Sequence, residues 1–355
     1  MGAPAGTLQV AVKAVVQYAL APCSVELREI AEPMPRAGEV VVRVRAVGVC
    51  GSDLHQYHGT QSWHVNTPVV LGHEFAGVIE AVGEGVQGWR VGDRVVCETA
   101  AVICEECVYC RTGRYNLCPH RLGFGYGVNG AMARYVRVPA RLLHRLPDNL
   151  SFEDAAMTEP CCVAAHAVIE CSRLKPGDLV VVFGSGPIGL LCLQMAQLHS
   201  PRKAILVGLS TDGVRLQVAE AVGADLVLCA DKDDVEAIVK REGDGLGADL
   251  VIDAVGRSEV LEPCLRVARP DGQITKVGWG PEPLGFSLDP LVGKNLRLQG
   301  TFSHTWATWE RVLTLMGAGK LRLAPLRRTF PLTEWRAAFH AMEQRATAKS
   351  ILIPD

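Results

Sequence analysis

Leu179-Val180-Val181-Val182-Phe183-Gly184-Ser185-Gly186-Pro187-Ile188-Gly189-Leu190-Leu191-Cys192 is the stretch that decides the fold. Val180–Phe183 is an uninterrupted β-branched and aromatic run, as expected of a strand buried on both faces. From Ile188 to His199 the apolar residues take helical spacing. Between them stands Gly-x-Gly-x-x-Gly. A lone glycine hexapeptide is weak evidence, but one that ends a strand and opens a helix has the context of a dinucleotide cradle. Gly184 permits the tight turn, Gly186 lets the backbone approach a pyrophosphate, and Gly189 lets helix and strand pack closely. With Ser185, Pro187 and Ile188 these residues form the expected cofactor loop, and the helix start supplies free N–H donors to the phosphates. A plain strand-to-helix turn is the weaker reading.

Working outward, the same alternation repeats. Strands are expected at Ala204–Val207, Leu226–Leu228, Leu250–Asp253, Gln273–Val277 and Leu296–Gly300, with helices at Val214–Val222, Asp234–Arg241 and Glu259–Ala268 between them. Six strands with crossover helices make a doubly wound parallel sheet, a Rossmann-type α/β unit. About 20 residues after the glycines, where an NAD site usually carries an acid for the ribose, the chain reads Gly208-Leu209-Ser210-Thr211-Asp212. Gly208 holds the expected carboxylate position, and Asp212 comes late enough to be a helix cap. Ser210, Thr211 and Arg215 are alternative receivers of a 2′-phosphate. The expectation is NAD, with NADP left open.

The part before Leu150 is punctuated differently. Val10–Tyr18, Val40–Val47, Phe75–Val82 and Arg94–Cys97 are short β-branched runs separated by Gly and Pro. Helical spacing begins around Leu150–Glu170. After residue 300, helices at Trp306–Ala318 and Thr333–Gln344 and a strand at Ser350–Ile353 are expected. With the six-strand sheet already complete, this tail is expected to rejoin the first part. The β-rich part carries two thiol-bearing constellations. Cys104, Cys107, Cys110 and Cys118 form C-x2-C-x2-C-x7-C, a thiolate cluster suited to a closed tetrahedral zinc site or to an iron–sulfur cluster. Cys50, His73 and Glu74 are S, N and O donors of a kind zinc accepts, none persuasive alone.

The chain has 355 residues, with 36 Lys+Arg against 38 Asp+Glu. That balance and the lack of a basic run argue against nucleic acid or an anionic membrane as partner. No apolar stretch reaches the ~20 residues of a spanning helix. Met1–Val10 lacks the pattern of a signal peptide, and Gly2 lacks the downstream Ser/Thr of a myristoylation site. Thirteen cysteines, an odd number, fit a reducing compartment, so a cytoplasmic protein with thiols rather than disulfides is expected. Outside the two constellations the cysteines read as small buried apolar residues, with Cys161 and Cys162 as candidate exceptions.

Cys50-Gly-Ser-Asp-Leu-His55, Gly72-His-Glu-Phe-Ala-Gly77-x5-Gly83-x2-Val86 and Gly92-Asp-Arg-Val95, taken with the glycine loop, resemble the zinc-containing medium-chain alcohol dehydrogenase family over essentially the whole chain. Glu159-Pro160 is similar to the polyol (sorbitol or L-iditol) dehydrogenase branch. The resemblance implies a GroES-like β-rich catalytic domain (1–163 and 301–355) and a Rossmann coenzyme domain (164–300). It implies two zinc ions per chain: a catalytic one on Cys50, His73, Glu74 and Glu159, and a structural one on the four cysteines, in preference to iron–sulfur. It implies Ser52 and His55 as a proton relay and Asp53 as the carboxylate that orients the metal-bound histidine. A small-molecule alcohol or polyol substrate, NAD or NADP, and a homo-oligomer (tetramer or dimer) follow from it. Two departures concern the substrate. Gln56 falls where the branch has Tyr, with Tyr57 one later, and Ser303-His304 stand for its Arg-Tyr pair. Phe124, Tyr126, Trp306 and Trp309 are candidate cleft aromatics. A threonine or 2,3-butanediol dehydrogenase is the alternative within enzymes, and a non-catalytic zinc- and nucleotide-binding protein is the alternative of another class.

Overall fold

The computed structural model describes residues 11–355. The readings of Met1–Val10 and Gly2 lie outside them. The first part supplies strands β1 (Ala11–Gln17), β2 (Val25–Ala31), β3 (Glu39–Gly48), β4 (Val69–Val70), β5 (Glu74–Val82), β6 (Arg94–Cys97), β7 (Tyr135–Pro139) and β8 (Leu143–Arg145). Then come β9 (Leu179–Phe183), β10 (Lys203–Gly208), β11 (Leu226–Cys229), β12 (Ala248–Asp253), β13 (Ala268–Lys276) and β14 (Arg297–Gly300). The tail adds β15 (Arg327–Pro331) and β16 (Lys349–Ile353).

All five residues of β9 are buried, and it lies inside a six-stranded parallel sheet of order β11-β10-β9-β12-β13-β14. The order reverses beside β9, so the glycine loop emerges at the crevice where doubly wound sheets bind ligands. A seven-stranded sheet runs β15-β16-β3-β5-β6-β8, with β7 also on β3. The tail completes it: Ile351 and Leu352 pair antiparallel with Gly48 and Val47, and β15 runs parallel to β16. A three-stranded sheet, β2-β1-β4, lies apart from both.

β2, β4, β7, β8 and β15 carry no sequence expectation. Each is very short or mixes apolar with polar residues, as in Arg327-Arg-Thr-Phe-Pro331, where Phe330 alone is buried. Cys23 departs from the expectation of burial: it is exposed and in the left-handed region at φ 60°. Cys161 and Cys162 are buried and free, with burial pushing both thiols up.

The two large sheets share a core. Ala46, Ala76 and Val96 pack in the same cluster as Val180, Ile252 and Leu190, with Ala155–Val168 between. The helix Thr158–Ala165 is the bridge, and it continues into a π-helical turn at His166–Glu170. There His166 Nδ1 lies 2.7 Å from Glu170 Oε2 and Nε2 lies 3.6 Å from Cys171 Sγ. Glu170 also accepts from Thr308 Oγ1 (3.0 Å) and Arg311 Nη1 (2.7 Å), fastening the helix Trp306–Gly317. Cys171 first, then Glu170, lifts the His166 pKa to about 9. A raised folded pKa favours the imidazolium form, so this stabilisation is full below an unfolded value of about 6.5 and is lost as pH rises through the folded one. The melting-temperature difference between wild type and His166→Gln is therefore expected to be largest near pH 6 and to close by about pH 10, read by thermal melts across pH. A gap that does not change with pH would refute the assignment.

Candidate active site

Cys50 ends the turn after β3 and begins the helix Gly51–His58, while His73 and Glu74 open β5. Register brings them together, because Gly48 of β3 pairs with Glu74. One ligand atom from each of Cys50, His73 and Glu74 lies within 4.8 Å of the other two. Thiol, imidazole and carboxylate at that spacing fit a zinc ion with an open position. A Cβ on Gly48 would lie 2.2 Å from Glu74 Oε2 and 3.1 Å from Lys349 Cε, so the glycine leaves room for a side-chain pair that the sequence did not reveal. In that pair Lys349 Nζ is ion-paired to Glu74, with the two side chains 2% and 1% exposed.

The surrounding charges are arranged around these donors. Burial raises the Glu74 carboxyl despite Lys349. Burial would lower the His73 imidazole, but Cys50, Asp53 and Glu159 outweigh it and hold it well above its usual value. Asp53 is buried and accepts the Cys50 N–H at 2.8 Å, which caps the helix and sets the carboxylate beside His73. Glu159, from the bridging helix, stands outside the 4.8 Å group. Its Oε1 lies 3.0 Å from His304 Nε2, and Trp309 Nε1 donates to His304 Nδ1 at 2.7 Å. Since Nδ1 accepts, the imidazole proton sits on Nε2 and points at Glu159. Burial would raise the Glu159 carboxyl, but the hydrogen bond from His304 holds it below the usual range.

Ser52 lies in the first turn of the same helix, half-buried. His55 Nδ1 lies 2.9 Å from Thr60 Oγ1 at the surface. His55, Thr60, Trp63, Lys276 and Trp279 line a cavity of about 290 Å³. Trp63 and Trp279 meet edge-on at 6.4 Å, and Trp279 tilts against Phe302 at 5.7 Å. These three, rather than the expected set, are the aromatics beside His55 and the 302–304 loop. Trp309 and Phe124 are core residues, and Trp306 is exposed over His144. Gln56 is spent on Gln17 (2.8 Å) and Gly125 O (3.0 Å), and Tyr57 packs on Trp335 and Phe339. A larger groove, about 620 Å³ and lined by Pro33, Met34 and Arg137 among others, holds neither ligand cluster.

Cys104, Cys107, Cys110 and Cys118 form the second group within 4.8 Å. Backbone N–H groups of Cys104, Cys107 and Cys110 each point at a sulfur 3.4 Å away, on Cys118, Cys104 and Cys107. The Cys107 N–H leads in lowering the Cys104 thiol to about 6, so it is a thiolate at neutral pH. Four sulfurs, three of them accepting from backbone donors, fit a closed zinc site.

In the glycine loop a Cβ on Gly189 would lie 1.8 Å from Gly184 O, so only glycine permits the turn. The helix Pro187–Gln197 has no side-chain cap at Gly186, leaving its first N–H groups free for phosphate. Arg215 does other work than expected. Its Nε and Nη2 donate to Thr347 O (3.1 Å) and Met342 O (2.7 Å), because the tail lies against the start of its helix. Ser210 and Thr211 are engaged too, by Asp231 and Arg345.

A parallel-sheet dinucleotide site beside a buried thiol–imidazole–carboxylate cluster defines a metal-dependent oxidoreductase of two units. The comparisons narrow the class. Residues 36–148 match the alcohol dehydrogenase GroES-like domain and 187–318 the zinc-binding dehydrogenase domain. Sorbitol dehydrogenase of Halalkalibacterium halodurans is 39% identical over 92% of this chain and 95% of its own. D-arabitol-phosphate dehydrogenase of Enterococcus avium is 37% identical over 88% of each. A Sinorhizobium meliloti chain of the zinc-binding dehydrogenase type, solved bound to NADP, superposes with TM-score 0.89 at 29% identity, covering 98% of this chain and 100% of that one. The chain belongs to the zinc-containing medium-chain alcohol dehydrogenase family, in which it is a zinc- and NAD(P)-dependent alcohol or polyol dehydrogenase with a GroES-like and a Rossmann unit. No helix of the described residues is long and apolar enough to cross a membrane.

Two outcomes are expected of this arrangement. Cys107→Ala should lower bound zinc from two ions per chain to one and depress the melting point, measured by metal analysis and calorimetry; two ions retained would rule out the lobe. His304→Ala should cut kcat about 10–100-fold, as loss of a partner that orients a metal-site group typically does, while the KM for coenzyme stays put.

Proposed function

We propose that this chain reversibly oxidises a secondary alcohol or polyol of the sorbitol and L-iditol kind to a ketone, passing hydride to NAD(P)+. The observation that carries the reading is the convergence of Cys50, His73 and Glu74 within 4.8 Å of one another, with Glu159 alongside. Zinc bound there supplies a Lewis acid that lowers the pKa of an alcohol hydroxyl toward neutrality. Cys50, His73 and Glu74 hold the metal, and Lys349 balances the Glu74 charge. Removing one member of a buried ion pair costs about 3–5 kcal/mol, so the two act as a unit. Asp53 steadies His73, and His304 holds Glu159 where it adjusts the donor set. Ser52 takes up the hydroxyl proton as it passes its own on toward His55, which at the surface releases a proton to water.

Trp63, Trp279 and Phe302 offer an apolar surface beside His55. Arg121 lies 5.5 Å over the Phe302 ring and donates to Tyr126 Oη (2.6 Å) and Thr99 Oγ1 (2.8 Å), with no carboxylate of the described residues within ion-pair distance. This supports a hydroxyl-rich substrate despite Ser303-His304. The proposed domains are 1–163 with 301–355, and 164–300. Edge strand β14 and the exposed Leu284, Leu288, Val292 and Leu298 support a homo-oligomer, dimer or tetramer. A cytoplasmic site is proposed from the thirteen free cysteines.

The test is a matrix of polyols, secondary alcohols, L-threonine and 2,3-butanediol against both coenzymes, with Cys50→Ala alongside. Wild type should turn over polyols best. The variant should lose turnover by more than about a thousandfold, as when a main catalytic group is removed, yet still quench on binding reduced coenzyme. Absence of turnover by zinc-replete wild type would favour the binding protein, and activity in the variant would remove Cys50 from the site.

A further inference from the structure

We propose that Asp212, fixed by Ser185 and Arg345, is the residue that makes this chain select NAD over NADP. This rests on the reading that Gly184–Gly189 holds a dinucleotide. The end of β10 has no room for an acidic side chain of its own. A Cβ on Gly208 would lie 2.7 Å from Leu216 Cδ2, 3.0 Å from Asp212 Oδ2 and 3.3 Å from Ser185 Cβ. The space is filled from four residues downstream. The turn Ser210–Asp212 carries the chain back, and Asp212 Oδ2 accepts from the Leu209 N–H (2.9 Å) and from Ser185 Oγ in the glycine loop (2.7 Å). The carboxylate is thus tied at once to the strand end and to the loop, in the crevice where an adenosine ribose would lie. Asp212 is 7% exposed.

The groups at this turn that would welcome a 2′-phosphate, Arg345, Thr211, Arg215 and Ser210, are already committed. Arg345 Nη1 pairs with Asp212 Oδ1 at 2.9 Å and donates to Thr211 Oγ1 at 2.6 Å. Arg345 takes a left-handed backbone, φ 58°, unusual for a residue with a side chain. Arg215 is spent on two carbonyls. The Ser210 N–H donates to Asp231 Oδ1 at 2.7 Å, which puts a second carboxylate beside the same turn. A 2′-phosphate would face two carboxylates with the nearest guanidinium already neutralised. A ribose hydroxyl needs only an acceptor, and a carboxylate's two oxygens take about four hydrogen bonds.

The experiment is binding, followed by quenching of tryptophan fluorescence as NADH or NADPH is titrated into the zinc-loaded protein. Wild type should bind NADH at least about thirtyfold more tightly, the scale of like charges brought together. Asp212→Asn keeps acceptors for Leu209 and Ser185 but frees Arg345, and it should shift the NADH:NADPH affinity ratio at least about tenfold toward NADPH. Asp231→Asn, on an exposed side chain, should shift the ratio the same way by about threefold, and it keeps the test sound if the first variant does not fold. Equal affinities or a preference for NADPH in wild type, or a ratio unmoved in the variants that fold, would overturn the assignment. Binding of neither coenzyme by wild type would instead strike down the nucleotide site itself, and this assignment with it.

Discussion

Glu74 and Lys349 form an ion pair shut away from water where β5, β3 and β16 meet, and the metal site takes its shape from that constraint. Two charges this deep are tolerated only when each meets the other. Gly48 pairs with Glu74 and has no side chain to intrude. Cys50 follows Gly48 by two residues, and His73 precedes Glu74 by one, so the strand register that satisfies the pair also delivers the thiol and the imidazole. Burial would lower the Lys349 ammonium, but Glu74 and Cys50 outweigh it and raise it. It therefore stays charged beside Cys50 and three acidic side chains, which makes a donor set rich in acidic groups compatible with a folded chain.

The bridging helix couples that set to the coenzyme unit. Thr158–Ala165 packs in the core shared by both sheets and presents Glu159 beside His73. The partner of Glu159, His304, is held from behind by the fully buried Trp309. Where the polyol branch has Arg-Tyr, this chain turns a histidine inward, and Ser303 takes a left-handed backbone, φ 57°, in the same loop. The substitution moves polar function from the substrate wall to the support of Glu159. That is a physical reason for expecting a substrate different in detail from sorbitol.

Much of this was legible from local sequence. β9 and the strands beside it are short apolar runs buried on both faces, and such runs read without ambiguity once helices alternate with them. The four cysteines stand out by their spacing alone, while Cys50, His73 and Glu74 lie in the motifs that carry the family resemblance. What escaped notice depends on distance along the chain. His304 meets Glu159 across 145 residues, and no periodicity links them. Lys349 meets Glu74 from just before the expected last strand, and no local motif links the two. Arg215 stands at a plausible phosphate position, yet it satisfies tail carbonyls 132 and 127 residues away. Asp212 read as a helix cap, because only the folded turn shows its carboxylate filling the gap left by Gly208.

The tail joins these observations. Arg215 grips Met342 and Thr347, and Arg345 reaches back to Thr211 and Asp212, so the segment 342–347 is clamped to the turn that ends β10. Two residues further on, Lys349 enters β16 and neutralises Glu74. One short segment therefore touches the coenzyme crevice at one end and the metal ligands at the other. Packed segments resist deformation, since protein interiors are as dense as organic crystals. The C-terminal return thus closes a sheet and also fastens the turn that ends β10 to the ion pair beside Cys50 and His73.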